Sequence, residues 1–190
     1  PLLARHLLME AGVTADHPVH APLFDTVMAG CRGPLRLLSL LDSDAALDLR
    51  EKDFCRGTIC FLHGDPLRAF ECFDAIDSVD ETDLAAQYYL VRSLDDYGEP
   101  AEKELAFAVE QAEGILRNDA SASQRYYAGL LFLLAGRPEE ALAALAGNAG
   151  HLPSLYTRWF CLHGRRDTSA GQVLAEIMNE EKVQSEQGAC

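Results

Sequence analysis

The tripeptide Gly-x-Pro occurs three times, as Gly64-Asp65-Pro66, Gly98-Glu99-Pro100 and Gly136-Arg137-Pro138, at spacings of 34 and 38 residues. An apolar pattern of helical period runs up to each glycine, and a new one starts at each proline. That order is the chemistry of a tight helix-to-helix turn: glycine takes the left-handed position that ends the first helix, and proline pre-sets the first residue of the second. A fourth turn, Gly164-Arg165-Arg166, follows 28 residues later without its proline. A period of this length marks a helical array, in which each helix pair covers its apolar face only by stacking on a neighbour.

The flanking segments agree. Residues 53–63, 84–97 and 125–135 carry apolar side chains at three- and four-residue intervals. Residues 66–76, 100–116 and 138–146 repeat the stripe, with acidic residues in the first turn, where the helix dipole favours them. Alternation of period two is missing, so no strand is expected. Helix pairs are placed at about 45–76, 81–117, 120–146 and 152–182. Before Leu47 the pattern is less regular, with helices at 2–11 and 22–30, a Gly33-Pro34 turn and a short apolar helix at 35–41. Residues 1–44 read as an irregular helical segment with the features of a degenerate pair, residues 45–178 as the repeats, and residues 179–190 as a polar tail or cap. The expected fold is all-α, a right-handed α-α superhelix of about four to five antiparallel helix pairs. A non-repeating helical bundle is the alternative.

Composition narrows the function. With 190 residues, 48% hydrophobic and 24% charged, the chain can bury a core that needs no disulfide or metal staple. Sixteen basic against thirty acidic residues give a net charge of −14, and the only lysines are Lys52, Lys103 and Lys182. Such a field repels phosphate backbones and anionic membrane surfaces, so no nucleic-acid partner is expected and basic or zwitterionic proteins or peptides are. The longest apolar stretch, residues 126–135, is far short of the ~20 residues of a bilayer span, so no membrane insertion is expected. The six cysteines (31, 55, 60, 72, 161 and 190) sit mostly inside apolar helical patterns, where a free thiol behaves as a small core residue. With no secretory signal pattern at the start, a reducing, cytoplasmic location is expected.

The residues around the turns resemble the tetratricopeptide repeat family, whose unit is a helix-turn-helix of about 34 residues. Seven and four residues before Gly64 stand Gly57 and Cys60, and five and nine after it stand Ala69 and Phe73. The same places around Gly136 hold Gly129, Phe132, Ala141 and Leu145, again small, large, small, large as in the family. Around Gly98 the fit is poorer: Lys103 takes the small place, and small residues come later, at Ala106 and Ala108, so that second helix is expected to be longer or rotated. The family's early aromatic is also absent, its place being taken by Asp53, Gln87 and Arg125.

The resemblance implies a concave face lined by the first helices, where a partner is held. Carried over residue by residue, that face holds Glu51, Phe54, Thr58, Phe61 and Leu62, then Ala85, Tyr88, Arg92, Asp95 and Asp96, then Ser123, Tyr126, Leu130, Leu133 and Leu134. The last pair adds Ser154, Arg158 and Cys161. The candidate binding set is Phe54, Thr58, Phe61, Tyr88, Arg92, Asp95, Tyr126, Leu130, Leu133 and Arg158, with Phe54, Tyr88 and Tyr126 as a row of aromatic anchors. The same rings also suit packing against a neighbouring or capping helix, including the N-terminal segment folded into the groove. The lysine and asparagine set with which family members clamp a chaperone tail is missing at these places.

No catalytic constellation is present. Gly-rich phosphate loops, nucleophile elbows and paired-histidine zinc motifs are all missing. His17-Pro18-Val19-His20 reads as a loop, and Cys55, Cys60 and Cys72 near His63 read as core thiols, since residues five apart on a helix point about 140° apart. His63 and His163 suit helix C-termini, and Asp95-Asp96, Glu139-Glu140 and Glu180-Glu181 suit solvated faces. No catalytic residue, metal site or cofactor is expected. The function expected is a protein-interaction scaffold or adaptor; the alternative is a regulatory or sensor repeat domain of a larger protein, taking a small ligand or an internal segment. End repeats without polar caps also predict self-association.

Overall fold

The structure, a computed structural model, describes residues 41, 47–77 and 83–187, with side chains as far as Val183. The elements expected within residues 1–40, the His17 to His20 loop, Cys31 and Cys190 lie outside these. Among the described residues eight helices follow one another: α1 (Leu49–Leu62), α2 (Pro66–Asp77), α3 (Leu84–Tyr97), α4 (Glu102–Leu116), α5 (Ala122–Leu134), α6 (Pro138–Ala146), α7 (Leu152–Gly164) and α8 (Ala170–Gln187). Among the described residues there is no strand. The chain divides into two compact units, 1–104 and 105–190, the division falling inside α4.

Side chains of the first helices define where they start. Asp48 and Glu51 exchange backbone hydrogen bonds in a capping box at α1, 2.8 and 2.9 Å long. Ser121 and Gln124 do the same at α5, at 3.2 and 2.9 Å, and Asp83 accepts from Ala86 N at α3, 3.2 Å away. Each such cap contributes about 1 kcal/mol. Asp83 also pairs with Arg50 of α1, which ties the start of α3 to the first pair.

The turns share one backbone geometry. Gly64, Gly98 and Gly136 take φ of +77°, +87° and +69° as the spacing predicts, and the following amide reaches back five residues: Asp65 N to Cys60 O at 3.0 Å, Glu99 N to Leu94 O at 3.0 Å and Arg137 N to Phe132 O at 2.8 Å. These bonds satisfy carbonyls that a helix end otherwise leaves without partners. The fourth turn obeys the same rule with a different residue. Asp167 N donates to Leu162 O at 2.9 Å, and the left-handed position is Arg166, at φ +57°, rather than Gly164, which closes α7. The fourth pair therefore starts its turn two residues later than the glycine indicates.

Inside the pairs the small-large code is a close approach of helices. A Cβ added at Gly57 would lie 2.8 Å from the Phe73 ring, and one at Gly129 would lie 2.7 Å from Leu145. Ala69 and Ala141 are fully buried opposite. In the N-terminal unit α2 packs against α1 and α3, and Tyr89 of α3 stacks on Phe73 with centroids 5.1 Å apart. In the C-terminal unit α6 packs against α5 and α7, and α7 against α8, around Leu155, Leu162, Val173 and Ile177, with Leu142 of α6 against that cluster. On α4 Lys103 and Ala106 are exposed, while Ala108, Val109 and Ala112 are buried, so of the two small residues expected at the close place only Ala108 is buried. Helix α8 runs on to Gln187, through much of the stretch that reads as a tail in the sequence.

Two stability changes follow from this packing. Gly129→Ala should cost up to about 2 kcal/mol, because the overlap with Leu145 (about 1–3 kcal/mol) outweighs the helix-propensity gain (about 1 kcal/mol). Leu145→Val should recover part of it, and strict additivity in a denaturation cycle would refute the contact. Arg166→Gly should raise stability by about 0.5–1 kcal/mol by removing the left-handed strain, and a lower melting temperature would contradict this.

Candidate interaction surface

Counted from the left-handed residue rather than from glycine, an aromatic ring stands ten residues before every turn: Phe54, Tyr88, Tyr126 and Tyr156. The first and third are buried. Phe54 lies edge-on to Tyr89 of α3 at 6.0 Å, and Phe61, half-buried, meets the same ring at 5.4 Å. Tyr126 lies edge-on to His151, the residue that opens α7, at 5.4 Å. These rings therefore form the seam between one pair and the next. Thr58 is also buried, and its hydroxyl has no hydrogen-bond partner. Burial corrects the expectation of Phe54, Thr58 and Tyr126 as exposed anchors, and the following helix already occupies the space in front of Phe54 and Tyr126.

The other expected residues keep more surface. Tyr88 is half-buried, with its phenol pushed above the ordinary value chiefly by burial, lowered somewhat by Arg92 and raised by Asp96. Arg92 donates to Asp95 at 3.3 Å and Asp96 at 3.2 Å, both carboxylates exposed. Leu130 and Leu133 are half-buried on α5, and Leu62 is exposed on α1.

Arg158 does not belong with them. Its Nη1 lies 3.5 Å from Glu176 of α8 on one flank of the buried Leu155–Ile177 cluster, whereas the Tyr156 hydroxyl donates to Glu181 of α8 on the other. The two-residue shift of the fourth turn moves Arg158 out of the first-helix face and brings Tyr156 and Phe160 into it. Sequence reading missed both, although the recurrence of an aromatic at this place was a usable signal. It also missed a buried polar knot. Asn148 Nδ2 donates to Ala122 O and to Ser154 Oγ, each at 2.8 Å, and Ser154 Oγ meets His151 Nδ1 at 2.7 Å, tying the start of α7 to the start of α5. In the sequence these residues read only as a loop.

Three of the thiols, Cys60, Cys72 and Cys161, are held neutral. Cys55 and Cys60 are buried, and Cys72 and Cys161 half-buried. Desolvation raises the Cys60 and Cys161 thiols and pushes Cys72 up to about 11, with Cys60 adding a smaller push. Among the described residues no three His, Cys, Asp or Glu side chains converge to hold a metal ion. No described helix is long and apolar enough to cross a membrane.

No protein-family model matches the chain, and no curated protein matches it in sequence. Among solved structures it is similar to a crystal structure of MamA, at 16% identity over 85% of this chain and 95% of that one, with a TM-score of 0.50. It is similar as well to MamA 41-end from Desulfovibrio magneticus RS-1, at 18% identity over 87% and 94% of the two chains, with a TM-score of 0.50. At these identities the likeness shows an all-helical repeat fold.

The raised thiol has a measurable pH dependence. Its folded value lies above the ordinary 9.0, so the neutral thiol's contribution to stability is complete below pH 9.0 and lost as pH rises through about 11. Alkylation of native Cys72, followed by mass spectrometry, should keep accelerating about tenfold per pH unit beyond 9. A plateau near 9 in the folded protein would contradict this.

Proposed function

We propose that the chain is a protein of tetratricopeptide type that works as a non-catalytic interaction scaffold or adaptor. The observation that carries this reading is the surface left at the C-terminal ends of the first helices. After the seam rings are buried, Phe61 and Leu62 on α1, Arg92, Asp95 and Asp96 on α3, and Leu130 and Leu133 on α5 remain partly or fully accessible. Phe61, Asp95 and Leu133 each stand three residues before the left-handed glycine of their turn. In the N-terminal unit the surface is apolar on α1 and acidic on α3, and in the C-terminal unit, taken by itself, it is apolar on α5, in a chain of net charge −14.

That chemistry suits a partner segment bearing apolar side chains and basic residues. Arg92, bonded to both Asp95 and Asp96, holds their carboxylates in place without covering them. Free thiols at Cys60, Cys72 and Cys161 support a reducing compartment, which we take to be the cytoplasm. The family-like turn sequences and the fold shared with MamA support the repeat type. The chemistry of the partner is read from this chain's own residues.

The reading is tested by affinity capture from lysate with the wild type and an Asp95→Arg/Asp96→Arg variant. Both positions are exposed, so helical circular dichroism should be unchanged. The wild type should retain partners that the variant loses, and that retention should weaken as salt is raised, since exposed charges are screened. Identical capture by both proteins would overturn the reading.

A further inference from the structure

We draw no further inference here: the strongest candidate, the exposed apolar face of α7 and α8 formed by Tyr156, Phe160, Leu174 and Met178, carries none because nothing in the structure shows what covers it.

Discussion

One residue held at positive φ, with the amide after it bonded five residues back, ends the first helix at each of four turns among the described residues. The bond satisfies carbonyls at the end of the first helix and reverses the chain within a few residues, and α2, α6 and α8 pack against α1, α5 and α7. Because the geometry recurs at Gly64, Gly98, Gly136 and Arg166, it also sets a common frame along the chain. The seam rings and the accessible ends of the first helices fall at constant distances from it. The fourth turn shows that the constraint is conformational rather than a requirement for glycine, since an arginine meets it at φ +57°.

Packing then decides how near the two helices come. Where Gly57 and Gly129 remove a side chain, Phe73 and Leu145 fill the space, and the backbones approach to a distance no Cβ would tolerate. In the last pair Trp159 stands in place of that glycine, the turn is two residues longer, and the core is made of Leu155, Leu162, Val173 and Ile177 instead. The two solutions present different outer faces. The glycine pairs are followed by further helices, whereas the last pair leaves Phe160 and Met178 in water.

The repeat frame was readable because turn chemistry is local: Gly-x-Pro carries its conformation in three residues. The surface was readable only in part. Arg92, Asp95, Leu130 and Leu133 keep accessible side chains, but Phe54 and Tyr126 sit under Tyr89 and His151, and their burial depends on residues 35 and 25 positions away. An aromatic at helical spacing reads the same whether it faces solvent or a neighbour. Arg158 was misplaced for a different reason, because the count began at a glycine that is not the left-handed residue.

By itself, then, the sequence determined the all-helical class, the pairing of helices and most of their turns, since helical period, caps and left-handed residues act over a few positions. Tertiary structure decided which rings become seam and which stay at the surface, how far α8 extends, and where Asn148, His151 and Ser154 meet. Those outcomes depend on what the next helix places in front of a residue, and that contact is made by atoms distant in the chain.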